Sequence, residues 1–521
     1  MYKEINMIKI RNIIPFFLLA FSTNILAEEM SEFAKTIDGI SKSVDSFFND
    51  YTGWFVGLIF KSVPVGDVSF PLIVAWLLIA AFIFTLYFGF VQFKRVGLAI
   101  DIIKGKYTDP NSKEDGEVSH FQALTTALSG TVGLGNIAGV GVALAIGGPG
   151  ATFWMILCGL LGMASKFCEC TLGVKYRTIL PSGVVSGGPM YYLSQGLSEK
   201  GLGGLGKVLA VGFALMCILG ALGGGNMFQA NQAHAMLTYA FDVPSEYGII
   251  TGVVLASMVF SVIVGGMPSI ASVTERVVPW MAALYVGMSL IVIVSNIDQV
   301  GPAFAAIFEG AFTGSGVVGG FLGALIQGLK RATFSNEAGV GSAAIAHSAV
   351  KTKEPITEGL VSLLEPFVDT VVICTMTALV ITIAGLNVAP FDGSGLTGVT
   401  LTAASFTETA SVFKYLLALA VIMFAFSTMI SWSYYGLKAW TYLFGEGKAT
   451  EIIFKVIFCI FVVIGATIQF GAVIDFSDAA IFAMSIFNII GLYFLMPIVK
   501  KELKSFIDRV KSGEIKSYDT K

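Results

Sequence analysis

Apolar residues in this chain arrive in blocks of about 20, the length at which an α-helix crosses a hydrocarbon core, and the blocks recur from residue 69 to residue 499. With 55% hydrophobic and only 13% charged residues over 521 positions, the chain cannot cover a water-facing exterior of ordinary size. An all-α integral membrane protein is therefore expected, and a soluble globular enzyme is a poor fit. A net charge of −3 gives no pull toward nucleic acid. The six cysteines (Cys158, Cys168, Cys170, Cys217, Cys374 and Cys459) all fall in apolar stretches, which argues against a disulfide framework or a zinc site.

Residues 1–27 read as a secretory leader: Lys3, Lys9 and Arg11 precede a short apolar run that ends near Ala27. An uncleaved anchor is the alternative. Residues 28–66 carry Phe33, Ile37, Ile40, Val44, Phe47 and Phe48 at amphipathic spacing and are expected outside the cytoplasm, lying on the membrane surface. Eleven spans follow: an extra N-terminal one within 67–93, five within 121–295 and five within 317–499. The second to sixth are expected near 121–146, 151–174, 208–232, 247–266 and 270–295. The seventh to eleventh are expected near 317–348, 357–385, 403–437, 450–471 and 477–499. Segments 94–120, 175–207 and the tail 500–521 hold five, four and seven Lys or Arg, whereas loops 233–246, 296–316 and 386–402 hold none. Basic loops stay inside, so the C-terminal tail is expected in the cytoplasm and the mature N-terminus outside. A cleaved leader requires the same orientation.

Two spans are interrupted by glycine and small polar residues, at Ser129–Gly139 and at Thr333–Ser342. Glycine destabilises a helix by about 1 kcal/mol relative to alanine, and unwound backbone at membrane depth survives only where protein or a water-filled cavity satisfies it. Each interruption lies in the first helix of a set of five. Two consecutive repeats with an odd number of helices have opposite orientations, the inverted-repeat plan of secondary transporters, with the site where the repeats meet. Close packing through small residues is the plainer alternative. In the ninth span Ser427, Thr428 and Ser431 share one face, with Trp432 one turn after Thr428. Their hydroxyls suit a hard cation, or bond back to their own helix. Asn226 and Gln229 sit at an apolar address, where substrate or another helix can satisfy them. Of the ionisable residues inside spans, Glu365 and Asp369 are four apart and can line a proton or cation path, while Lys330 and Arg331 suggest a shorter helix or a cavity wall. His120, His234 and His347 make no cluster by spacing.

The run Thr125–Val140, the pair of blocks Gly147–Met155 and Gly162–Glu169, and the run Phe334–Ala343 together resemble the alanine or glycine:cation symporter family, in order and over about residues 68–500. The resemblance implies a leucine-transporter-like five-plus-five inverted repeat with one extra N-terminal span. It implies sodium bound by Ser129, Val132, Ser427 and Thr428. It also implies substrate lined by Thr131, Gly133, Gly135, Asn136, Thr333 and Ser335, with Gln229 as polar anchor and Trp432 as a bulky wall favouring small side chains. The expected function is symport of alanine or glycine with sodium across a bacterial-type inner membrane, with no cofactor other than the coupling ion and no obligatory protein partner. Proton coupling through Glu365 or Asp369 is the alternative within the class, and a channel or sensor is the alternative outside it.

Overall fold

A computed structural model describes residues 26–107, 115–313, 320–387 and 395–518. Nearly all of the expected leader and part of the expected outer loop 386–402 lie outside these residues. A long helix, α1 (Leu26–Ile59), leads into a hairpin of β1 (Ser62–Val65) and β2 (Val68–Pro71), then a short apolar helix α2 (Leu72–Tyr87). Next come α3 (His120–Thr131) and α4 (Gly135–Gly147), bent by 46° across their junction. The first set of five is completed by α5 (Ala151–Lys175), α6 (Gly203–Phe241), α7 (Ser245–Ile263) and α8 (Gly266–Ser295). After α9 (Ile297–Thr313) the second set opens with another broken pair, α10 (Gly320–Asn336) and α11 (Ala343–His347). It continues through α12 (Pro355–Gly385), α13 (Gly398–Thr409), α14 (Phe413–Phe444), α15 (Lys448–Thr467) and α16 (Phe470–Ser512).

Among the described residues eight helices are long and apolar enough to cross a membrane, or nine counting the bent pair as one. A helix or helix pair also stands at each of the eleven expected positions, and the two broken ones open the two sets of five, which is the leucine-transporter-like plan. Large apolar side chains such as Val253, Trp280, Ile291 and Ile460 face outward. Such exposure is normal for a surface solvated by lipid.

Local chemistry explains the boundaries that matter for the site. Ser119 caps α3: its hydroxyl accepts from the Gln122 amide at 3.2 Å, and the Gln122 side chain accepts from the Ser119 amide at 3.1 Å. Wide π-helical turns interrupt α6 at Gly223–Met227 and α12 at Phe367–Cys374, a feature that recurs at functional sites. Three expectations need correction. The loop 296–316 is largely the helix α9, which buries Ala303, Ile307 and Ala311; the lack of basic residues reports sidedness, not the absence of a helix. The span expected at 403–437 is two elements, because the backbone is extended at Ala410. Its first part, α13, caps α4 instead, with Thr402 Oγ1 donating to the Ile137 carbonyl at 2.9 Å. Loop 233–246 shrinks, since α6 runs on to Phe241. Outside the bundle, α1 turns Phe48 and Phe55 onto Phe476, with ring centroids at 5.0 and 6.5 Å, and leaves Phe47, Tyr51, Trp54 and Leu58 exposed.

Candidate functional site

The first break frees backbone groups that side chains then take up. Val132 leaves helical geometry at ψ 84°. The next amide, Gly133, donates to Asn136 Oδ1 at 2.8 Å, and the Leu134 amide donates to Gln229 Oε1 at 3.0 Å. Buried N–H groups need such partners, and here two amide oxygens stand at the open end of a helix. A Cβ on Gly133 would run into the Thr428 hydroxyl and lie 3.3 Å from Gln229 Oε1, so only glycine fits. The second break runs through Glu337, Gly339 and Gly341, all with positive φ (56°, 86° and 94°). Its Ala338 amide donates to Asn336 Oδ1 at 3.0 Å. The breaks touch: a Cβ on Gly135 would lie 3.3 Å from Ser335 Cα and 3.4 Å from Phe334 Cδ1.

Helix α14 lies along α3. Thr428 Oγ1 donates to the Ser129 carbonyl at 2.9 Å, Ser129 Oγ donates to the Ser427 carbonyl at 2.6 Å, and Ser129 and Ser431 hydroxyls are 2.8 Å apart. Carbonyl and hydroxyl oxygens thus converge beside the first break, a donor set suited to a hard cation. The Ser427 hydroxyl bonds back to the Phe424 carbonyl at 3.0 Å, the local alternative foreseen for this helix. Trp432 is buried between the breaks, its indole N–H donating to Glu337 Oε1 at 3.0 Å and reaching the Gly130 carbonyl at 3.3 Å.

A second polar cluster joins both breaks to the π-turn of α12. Asn136 Nδ2 donates to Asp369 Oδ1 at 2.6 Å and to its carbonyl at 3.0 Å. Ser335 Oγ donates to Asp369 Oδ1 at 3.2 Å, and Thr370 Oγ1 donates to Asp369 Oδ2 at 2.7 Å. Asp369 is fully buried. Its spacing from Glu365 marked it as a path residue, but its bonding to Asn136 and Ser335 crosses helices and has no sequence signal.

Ten of the twelve residues singled out from the sequence come together here: Ser129, Val132, Gly133, Gly135, Asn136, Gln229, Ser335, Ser427, Thr428 and Trp432, with Ser427 entering through its carbonyl and its hydroxyl turned back to Phe424. Two do not. The Thr131 hydroxyl bonds back to the Ala127 and Leu128 carbonyls, both at 3.3 Å. Thr333 turns away toward Cys158 on α5, 3.8 Å from its sulfur, beside Val74 and Leu77 of α2. Asn226 is taken by another helix, donating to the Phe458 carbonyl at 2.7 Å.

Both ends of the site are closed. On one side Phe334 and Phe228 meet edge to face at 5.0 Å, and Arg331 donates to Asp478, with Lys330 Nζ 3.1 Å from the same carboxylate. The two basic residues that sat awkwardly in an apolar span thus fasten α10 to α16. Beyond them a cavity of about 470 Å³ opens between α6, α13 and the α15–α16 turn, with Asn231, Gln232 and Thr400 among mixed polar and apolar lining residues. On the other side Arg177 donates to the carbonyls of Ser348 at 2.9 Å, Thr352 at 3.0 Å and Asp115 at 2.7 Å. There the Glu117 amide donates to Ala349 and the Lys351 amide to Val118, both at 2.8 Å. The histidines also differ from expectation: His120 and His347, which open and close different broken pairs, both bond the Glu358 carboxylate.

The profile of the sodium:alanine symporter family matches residues 60–520. A sodium/alanine symporter, AgcS, from Methanococcus maripaludis is 42% identical over 451 residues, covering 86% of this chain and 96% of the relative. The amino-acid carrier protein AlsT of Bacillus subtilis is 33% identical over 82% of this chain and 88% of its own. Among solved structures, MhsT in complex with L-phenylalanine aligns over 75% of this chain and 99% of its own, at 15% identity and a TM-score of 0.48.

Proposed function

The chain belongs to the sodium:alanine symporter family, and from that premise we propose that it imports small neutral amino acids, alanine or glycine, together with sodium. The observation that carries this reading is the Thr428 hydroxyl held 2.9 Å from the Ser129 carbonyl at the edge of the first break. Sodium between the carbonyls of Ser129 and Val132 and the hydroxyls of Thr428 and Ser427 ties the half-helix α3 to α14. The amide oxygens of Asn136 and Gln229 stand where a substrate carboxylate accepts from the Gly133 and Leu134 amides. Substrate displaces them, with Gly135 and Ser335 at its flank and Trp432 limiting its side chain. Sodium binding orders the break for the substrate, and by linkage substrate raises sodium affinity equally. Thr131 and Thr333 support the walls from behind. No cofactor other than the coupling ion is proposed.

The proposed setting is a bacterial-type inner membrane, with the basic loops and residues 500–521 in the cytoplasm and the mature N-terminus outside. Residues 1–27 form a leader, and residues 28–66 lie at the outer surface, where α1 offers its exposed aromatic residues to the lipid interface. The units are the extra span within 67–93 and the repeats 121–295 and 317–499. Labelled alanine uptake in membrane vesicles, with sodium and proton gradients imposed separately, tests the function. Uptake should follow sodium and survive collapse of the pH gradient. Sodium-independent uptake driven by external acid would overturn the reading and turn attention to Asp369 or Glu365 as proton carriers.

A further inference from the structure

Five ionisable side chains outside the sodium and substrate groups form a continuous buried chain. His120, the first residue of α3, bonds Glu358 through Nδ1. The other oxygen of Glu358 meets His347 Nδ1 at 2.5 Å, and His347 Nε2 bonds Glu365. Lys166 Nζ lies 3.1 Å from the second oxygen of Glu365. His347, Glu358, Glu365 and Lys166 are wholly buried, and His120 alone keeps slight exposure, at 8%.

The bonding of His347 fixes a proton count. Both of its ring nitrogens face carboxylate oxygens, yet a neutral imidazole carries a single N–H. The pair of contacts therefore needs one further proton, held by the imidazole or by a carboxyl facing it. Without that proton a nitrogen lone pair faces a carboxylate oxygen in a dry interior, where unpaired polar contacts are costly.

The chain also joins the parts that must move. His120 belongs to the half-helix before the first break and His347 to α11, the half-helix after the second, and both are fastened to Glu358 of α12. They sit on the side closed by Arg177 and the Val118–Val350 pairing, the side of the basic loops. The charged and titratable groups facing this chain are few. Glu169 and Cys170 accompany Lys166 on α5, Glu337 faces it from the second break, and the Tyr435 hydroxyl faces it from α14. Beside His120, Gln122 holds Glu275 of α8 at 2.9 Å.

We propose that His120, Glu358, His347, Glu365 and Lys166 form a proton-binding latch that holds the two half-helices shut on the basic-loop side. The latch binds one proton, which enters and leaves at His120. It holds while that proton is bound and releases as the pH on that side rises. The protein thereby senses the pH of the compartment into which it delivers its substrate.

Hydrogen exchange of the full-length protein in lipid nanodiscs tests this without reference to any substrate. Amide exchange in residues 343–350 and 119–125, corrected for the intrinsic pH dependence, should rise between about pH 6 and about pH 9, approaching tenfold per unit for release of one proton. In His347→Gln, which removes the imidazole flanked by both carboxylates, the corrected profile should be flattened or displaced from the wild-type one. His120→Gln, nearer the surface and safer for folding, should shift the midpoint. Corrected exchange independent of pH in the wild-type protein would overturn the proposal. So would a wild-type profile in folded His347→Gln, or, where that variant does not fold, an unshifted midpoint in His120→Gln.

Discussion

At the scale of single residues, the proposed ion and substrate contacts fall on neighbouring positions of one face of α14. Thr428 presents its hydroxyl to the Ser129 carbonyl, while Trp432, one turn on, presents its indole N–H to Glu337. Removing one buried ligand costs about 1–3 kcal/mol, so Thr428→Ala should raise the sodium concentration for half-maximal uptake roughly ten- to hundredfold. Its order of preference among amino acids should not change. Trp432→Ala should do the reverse, admitting larger side chains with sodium dependence nearly intact. Sodium titrations and competition by unlabelled amino acids measure the two effects, and wild-type behaviour of both folded variants would remove α14 from the site. Gly133 makes a sharper point. Any Cβ there meets the Thr428 hydroxyl, so Gly133→Ala should abolish sodium-dependent uptake while the protein still purifies as a folded species.

At the scale of elements, the breaks were readable because glycine and short polar residues crowd into stretches that are otherwise apolar, a local signal. What fills them was less readable, because the partners come from other helices. Asn136 meets Asp369 across 233 positions, and His120 meets Glu358, already bonded to His347, across 238. No periodicity records such a meeting. Thr131 and Thr333 show the same limit: the resemblance implies that both line the substrate, while helix rotation turns one hydroxyl back on its own carbonyls and the other toward α5. The resemblance to a known family supplied most of the site, and hydroxyl spacing in the ninth span supported it independently. Helix α9 was missed because charge alone defined its segment. The second break is also where backbone geometry is most demanding. Gly341 has φ 94°, and a Cβ there would lie 2.8 Å from Pro189 Cγ and 2.9 Å from Asn488 Nδ2. Gly341→Ala should therefore cost more than the conformational penalty of about 1–2 kcal/mol and lower the melting temperature of the purified protein. Gly287→Ala on α8, with nothing within 4 Å of the added carbon, should match or slightly exceed wild type, since it raises helix propensity. Equal melting temperatures for the two variants would mean that the second break is not held in this form.

At the scale of the whole molecule, two closures lie on opposite sides of the site and differ in kind. One is thin, made of the Phe228–Phe334 contact and the Lys330–Arg331–Asp478 group, with a cavity beyond it. The other is thick, with Arg177, the segment before α3 and the segment after α11 knitted through several backbone carbonyls and capped by the buried charged chain. A thin closure under an open cavity yields to an arriving substrate, and a thick one must be undone as a unit. The proposed import reading accordingly puts loading on the cavity side and release on the side of Arg177. The basic loops lie on the side of Arg177, so the proposed orientation puts the thick closure toward the cytoplasm. Thiol labelling in intact cells checks that orientation. Five native cysteines are buried and Cys459 is half-buried, so an impermeant maleimide reads an introduced thiol against a low background. Glu246→Cys, exposed at the cavity rim, should be labelled from outside. Ser182→Cys, exposed between the strands Thr178–Ile179 and Val185–Ser186, should be labelled only after permeabilisation. The reverse pattern would put the thick closure outside and turn the direction of loading around.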